Sequence, residues 1–264
     1  MSQVFVFSAC WRTGSTLLQR FLNTSEDLLI WGEPNFLMPL NSSYIKSKGH
    51  FESVQWQKET VKKEGFKKAW SPVLCPDVDS LKDGYRAFFE TTYSKELADH
   101  GKTRWGFKEV RQNAYAHAVM MKELFPDSKI IFHYRNPYDV YESLLGTDFH
   151  KNFKAPLQPI RFWANNMADF VDAEKISQLD AMLISHEKFV SGRNSESLMH
   201  QVCDFANIEL TKDMIDVCRH KVGGTSTNKG LDRKVKDRID KVISEVVSEN
   251  QYWLIMSLLD EANV

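Results

Sequence analysis

The chain has 264 residues, 42% of them hydrophobic and 26% charged, the proportions of a folded domain with a sizeable core. Lys and Arg number 34 against 35 Asp and Glu, so the net charge is −1. Such a chain has no global field to gather nucleic acid or an anionic membrane, and any anion site must be local.

Residues Val4–Ser8 (VFVFS) are β-branched or aromatic and end at a small residue, which predicts a buried strand. Residues 14–23 turn helical, with Leu17, Leu18, Phe21 and Leu22 on one face. Leu28–Trp31 is a second short apolar run, closed by the turn Gly32, Glu33, Pro34, Asn35. Residues 41–103 are polar and lysine-rich with scattered aromatics, expected as helices and loops forming a lid or substrate wall, broken at 72–76. Residues 105–111 (WGFKEVR) read as a short strand or loop, and Ala114–Leu124 as a helix. Lys129–Tyr134 is the clearest strand, followed by Asn136 as N-cap and Pro137 as the first helical residue. Further helices are expected at 160–174, Ser195–Ala206 and 231–259, a strand at Ala181–Ser185, and a polar loop at 223–228. Strands alternating with helices predict an α/β fold with a mostly parallel central sheet, helices on both faces, and ligands at the strand C-termini. One domain over 1–264 is the simplest organisation, with 36–104 and 146–175 as substrate-pocket or lid segments.

Four cysteines, Cys10, Cys75, Cys203 and Cys218, have neither CxxC nor His-paired spacing. They read as small apolar residues in a reducing compartment, with no zinc or disulfide framework. The histidines likewise form no ligand spacing, so no metal is expected. No apolar run approaches transmembrane length and no signal-peptide pattern precedes the first strand, so a cytoplasmic protein is expected, without membrane or nucleic-acid partners.

The chemistry concentrates in two strand–turn–helix units. In the first, Arg12, Thr13, Gly14, Ser15 and Thr16 lie where a buried strand runs into a helix. Such a turn points backbone N–H groups and the positive end of the helix dipole outward. Gly14 permits close approach, Ser15 and Thr16 add hydroxyls, and Arg12 adds a planar cation suited to phosphate. A P-loop of the GxxxxGK[ST] kind needs a leading glycine and a lysine that are absent here, which disfavours a Mg-dependent NTPase or kinase. In the second unit Arg135 sits where strand gives way to turn, and Ser143 follows eight positions later on the next helix. Each motif alone is also compatible with an incidental surface residue; two in order suit a ligand with phosphates at both ends.

RTGSTLL after one strand and RNPYDVYES after another resemble the 3′-phosphoadenosine 5′-phosphosulfate (PAPS)-dependent sulfotransferase family. The resemblance implies a P-loop-like three-layer α/β fold. It assigns Arg12, Thr13, Gly14, Ser15 and Thr16 to the 5′-phosphosulfate, and Arg135 and Ser143 to the 3′-phosphate. LISHEKFV (183–190) resembles the family's strand and acidic turn, with His186 where a tyrosine is usual, as a nucleotide contact. HKVGGTSTNKG (220–230) resembles the late glycine loop over the nucleotide, assigning Gly224, Thr225 and Ser226 to it. The likeness covers 4–35, 105–145 and 180–230.

Sulfuryl transfer needs an acceptor deprotonator, cations at the developing charge, and exclusion of water. Glu33 resembles the catalytic glutamate of the bacterial and tyrosyl-protein branches, with a plain turn residue as the alternative. The cytosolic branch uses a histidine, for which His50 and His100 are the alternatives. Lys108 resembles a lysine that approaches the transferring group, or is an ordinary strand lysine; Glu109 and Arg111 are placed to pair with each other on one strand face. Lys229 and Arg233, in the basic run 229–241, belong to a solvated helix face or reach the 3′-phosphate. Phe162, Trp163 and Phe170 read as core. The resulting expectation is a metal-independent sulfotransferase using PAPS on a small alcohol, phenol or amine, with a homodimer common among such enzymes. The rival readings are a phosphoryl-transfer enzyme and a catalytically silent nucleotide-binding module.

Overall fold

The computed structural model describes residues 2–148, 151, 153–191, 194–219 and 230–262. Five strands, β1 (Val4–Ser8), β2 (Leu28–Trp31), β3 (Arg104–Glu109), β4 (Lys129–Tyr134) and β5 (Ala181–Ser185), form one sheet in the order β2-β3-β1-β4-β5. Every pairing is parallel, with Val4 opposite both Gly106 and Lys129. The helices are α1 (Ser15–Asn23), α2 (Leu37–Val54), α3 (Trp56–Glu64), α4 (Val78–Ser94), α5 (Ala114–Leu124), α6 (Pro137–Leu145), α7 (Gln158–Phe170), α8 (Ala173–Leu179), α9 (His186–Val190), α10 (Ser195–Ala206), α11 (Lys212–Arg219), α12 (Arg233–Val246) and α13 (Glu249–Ala262).

Period-two alternation in β1 divides the core between the two faces of the sheet. Val4 and Val6 pack with Leu18, Phe21, Ile131, Ile184, Val202 and Met214, under α1, α9, α10 and α11. Phe5 and Phe7 face the other way, into a cluster with Phe89, Phe107, Phe132, Trp163, Phe170 and Ile243, under α4, α5, α7 and α12. These four apolar side chains of β1 are fully buried. Burial stabilises each by about 1.5–3 kcal/mol, which is why the strand lies in the middle of the sheet. Trp163 and Phe170 are core, as expected; Phe162 is partly exposed and its ring packs 5.9 Å from that of Trp11.

Three boundaries differ from the sequence reading. The helix expected over 160–174 is two, because Asp172 adopts an extended conformation and caps α8 by accepting from Glu174 and Lys175 N–H at 3.1 and 3.2 Å. The helix expected over 231–259 is also two, with Val247 extended between α12 and α13. At 14–23 the helix begins at Ser15, since Gly14 stands outside it with φ +87°. The segment 36–104 is mainly helical, with α2, α3 and α4 wrapped beyond β2 and β3 and an irregular stretch from Gly65 to Asp77. Among the described residues, no helix is long and apolar enough to cross a membrane.

Candidate active site

The strand order puts five turns in a row along the C-terminal edge of the sheet. Glu33 follows β2, Lys108 lies near the end of β3, Arg12 follows β1, Arg135 follows β4 and His186 follows β5. The connection leaving β1 runs to one side of it and those leaving β3 and β4 pass to the other, so strand order reverses beside β1, where open α/β sheets bind ligands.

The turn after β1 is shaped by two left-handed residues, Arg12 (φ +65°) and Gly14 (φ +87°). Alternating backbone handedness of this kind turns N–H groups into one concavity that suits an anion. No side chain caps α1, so its first-turn N–H groups face the same mouth. A Cβ on Gly14 would lie 2.2 Å from His186 Cε1, so the imidazole fills the space that only glycine leaves. Thr13 is fully buried and donates its hydroxyl to Cys10 O at 3.1 Å, which engages that side chain inside the loop. Ser15 is buried at the start of α1, and Thr16 is exposed. Cys10 is buried, donates to Pro159 O at 3.3 Å, and has its thiol pKa pushed up by burial.

Arg12 and the second unit meet directly. Arg12 Nε donates to Ser143 Oγ at 3.1 Å, and Arg135 Nη1 donates to Arg12 O at 3.3 Å. Ser143 thus lies opposite the first turn although 131 positions separate it from Arg12. Arg135 is held by its own carbonyl, which accepts from Trp163 Nε1 at 2.9 Å, while its buried Nε has no partner among the described residues. A buried guanidinium N–H without an acceptor is costly, and an anionic ligand supplies one. Asn136 caps α6 through Tyr138 N–H, and its own N–H donates to Glu187 Oε1 at 2.8 Å. Glu187 also accepts from Ser185 Oγ at 2.9 Å, so the acidic turn after β5 braces the turn after β4.

Behind this mouth lie two imidazoles, His133 and His186, edge to face with centroids 5.7 Å apart. Burial, then the Arg135 cation, holds His186 down to about 4. Burial holds His133 well below its ordinary value, reinforced by the charges of His186, Arg135 and Lys108.

The third group is ionic. Lys108, with a side chain only 6% exposed, donates to Glu33 Oε1 at 2.7 Å. Arg111 Nη2 lies 3.6 Å from Glu33 Oε2 and also reaches Asn35 Oδ1. Arg111 Nη1 donates to Glu109 Oε1 at 2.8 Å, so the expected Glu109–Arg111 pair exists, and through Arg111 it extends to Glu33. Burial raises the Glu109 carboxyl pKa, against the opposing pull of Arg111 and two backbone N–H groups.

Asn166 is the residue that sequence reasoning missed. Buried on α7, it donates to Ala9 O and Arg111 O at 3.0 and 3.1 Å and accepts from Ala114 N–H at 3.1 Å. It straps the ends of β1 and β3 together beneath the site. His50 is exposed on α2, and the exposed ring of His100 packs edge-on 5.6 Å from that of Trp31. Gly224, Thr225, Ser226 and Lys229 lie outside the described residues. Arg233 begins α12. Among the described residues no cluster of three or more His, Cys, Asp or Glu is placed to hold a metal ion.

A parallel sheet with helices on both faces, and an anion-shaped turn between its central strand and a helix, define a P-loop-like three-layer α/β protein. Residues 3–213 match the model of the sulfotransferase family, and the chain belongs to that family. Its fold is similar to that of the sulfotransferase domain from the curacin biosynthetic pathway, with a TM-score of 0.55 at 16% identity and 97% of each chain covered. The sulfotransferase domain of the Synechococcus PCC 7002 olefin synthase is similar too, with a TM-score of 0.51 at 16% identity over 100% of this chain and 95% of that one. No curated protein matches the chain.

Proposed function

We propose that the chain, as one sulfotransferase domain over 1–264, transfers a sulfuryl group from PAPS to a hydroxyl or amine of a small-molecule acceptor, with Glu33 as general base. The observation that carries this reading is the Glu33–Lys108 pair, set in the same row of turns as an anion cradle whose buried Arg135 Nε has no acceptor among the described residues. The donor supplies the sulfuryl group, which passes to the acceptor atom with 3′-phosphoadenosine 5′-phosphate as leaving group.

The Arg12–Thr16 turn and the uncapped end of α1 are suited to the 5′ side of the donor. Arg135 and Ser143 are suited to the 3′-phosphate, and His186 shapes the floor at Gly14. Glu33 takes the acceptor's proton through the oxygen that Lys108 does not occupy. Lys108 and Arg12 stabilise the charge that builds on the departing oxygen. Arg111, held by Glu109, orients the Glu33 carboxylate. The segments 36–104 and 146–175 form the acceptor's walls.

The test is calorimetric titration of 3′-phosphoadenosine 5′-phosphate into the wild type and Arg135→Ala, without and with Mg²⁺. The expected result is metal-independent binding that weakens by about tenfold to a hundredfold in Arg135→Ala, the loss of one or two charge-assisted hydrogen bonds. Glu33→Gln should bind the nucleotide normally and lose about a hundredfold or more in turnover. Absence of binding, or binding only of ATP with Mg²⁺, would return the protein to phosphoryl transfer. Nucleotide binding with turnover indifferent to Glu33→Gln would remove the glutamate as base.

A further inference from the structure

Between α2 and α4 the surface is left open. Leu40 and Phe51 from α2, with Leu81, Gly84, Tyr85 and Phe88 from α4, border an almost wholly apolar groove of about 420 Å³. That volume is within the range of about 300–1,000 Å³ typical of small-molecule sites. Gly84 is part of the groove wall and adds no side chain to it. It sits in mid-helix, where glycine is a poor helix former, and a Cβ added there would meet nothing within 4 Å. Its φ lies outside the left-handed region, so neither backbone geometry nor packing calls for glycine at this position.

The Glu33 turn reaches the groove wall through Phe36. Phe36, three residues after Glu33, lies edge-on to Phe88 of the groove wall at 5.5 Å between centroids. Leu40, one helical turn on, donates its N–H to Phe36 O at 3.0 Å and lines the groove itself. Pro76 of the groove also borders a second apolar recess of about 640 Å³ with Val61, Phe66 and Leu74. Phe36 and Leu40 thus link the turn that carries the proposed base to the groove, and Pro76 links the groove to the second recess.

We infer that this groove binds the apolar chain of the acceptor, an amphiphilic alcohol or amine whose polar end lies at Glu33 and whose aliphatic or aromatic tail runs between α2 and α4. The inference rests on the sulfotransferase reading only for the position of the polar end. Chain binding itself needs no nucleotide.

The experiment titrates 1-hexanol, 1-octanol and 1-decanol calorimetrically into nucleotide-free wild type, Gly84→Leu and Gly84→Trp, with sedimentation velocity on the same samples. Affinity should rise about fourfold per added methylene in the wild type, as burial of each CH₂ dictates. Both substitutions favour helix and fill the groove, so chain-length dependence should vanish while cooperative unfolding persists. Gly84→Leu serves if the tryptophan variant does not fold. With PAPS, the KM for 1-decanol should rise at least tenfold in Gly84→Leu. Affinity independent of chain length, or unaltered by filling Gly84, overturns the inference. A wild-type dimer split by Gly84→Leu, with no alkanol bound, would show the groove to be an interface between copies and overturn it as well. If alkanols bind as expected but the wild type fails to bind 3′-phosphoadenosine 5′-phosphate, the sulfotransferase reading fails and the chain-binding groove stands. If both bind and 1-decanol is never sulfated, the assignment of the chain to the acceptor fails.

Discussion

Gly14 carries two demands at once. Its φ of +87° is costly for any residue with a Cβ, and its missing side chain is the space that the His186 ring occupies. Gly14→Ala should therefore lower stability by about 1–2 kcal/mol from the backbone alone, with a further loss from the clash, and should abolish titratable binding of 3′-phosphoadenosine 5′-phosphate. Adding His186→Gly should recover the clash but not the backbone cost. A double-mutant cycle by urea unfolding would then show a favourable coupling of the order of 1 kcal/mol, and strict additivity would mean that the ring does not sit against Gly14. This position was legible in the sequence only in part. A glycine between a strand and a helix signals an anion turn, but nothing in the residues from 183 to 190 says that the histidine after another strand will lie on it. The pairing of Arg111 with Glu33 was equally hidden, because it joins the turns after two strands whose adjacency the sequence does not state.

At the level of elements, β1, α5, β4, β5 and α10 have the bounds that their residues predict. The break between α7 and α8 is hard to read because Asp172 is a cap inside an otherwise amphipathic stretch. Asn166 escaped for a different reason. Its three hydrogen bonds go to backbone atoms of two segments, the turn after β1 and the connection from β3 to α5, and such a strap leaves no spacing to read. Replacing Asn166 by Ala takes this partner from the buried Ala9 carbonyl, the half-buried Arg111 carbonyl and the Ala114 N–H, and opens a small cavity. The expected cost is about 3 kcal/mol in urea unfolding. Turnover should fall by more than stability alone explains, since the strap joins the strand ends that carry Arg12 and Lys108. Unchanged turnover at a temperature where the variant is fully folded would show that the strand ends keep their positions without it.

For the whole molecule, the buried imidazoles govern its response to acid. His117 and His186 are both held down to about 4 by burial, and His133 is held well below its ordinary value. In the unfolded chain a histidine takes up its proton near a pKa of about 6.5. Between those values the unfolded state binds more protons, so stability is lost as pH falls through about 6.5 and the loss levels off for these two groups below about 4. His117 is almost fully buried, and its Nδ1 has no hydrogen-bond partner among the described residues. His117→Leu should flatten the profile by about 2 kcal/mol between neutral pH and about pH 5, read as a smaller shift of the urea midpoint. A variant with the wild-type slope would show that His117 is free to protonate in the folded state.

The central place of β1 has a kinetic consequence. Of the five strands, the one made first is the one that finishes in the middle, hydrogen-bonded on both sides to segments that begin only at Arg104 and Lys129. During synthesis VFVFS therefore leaves the ribosome well ahead of any strand able to pair with it, an apolar β-prone segment with both edges open. Nascent chains that stop short of Arg104 hold the Arg12–Thr16 turn but neither of the strands that flank β1. They are the species for which holding chaperones compete with self-association, and the order of translation makes β1 the segment that waits longest for its neighbours.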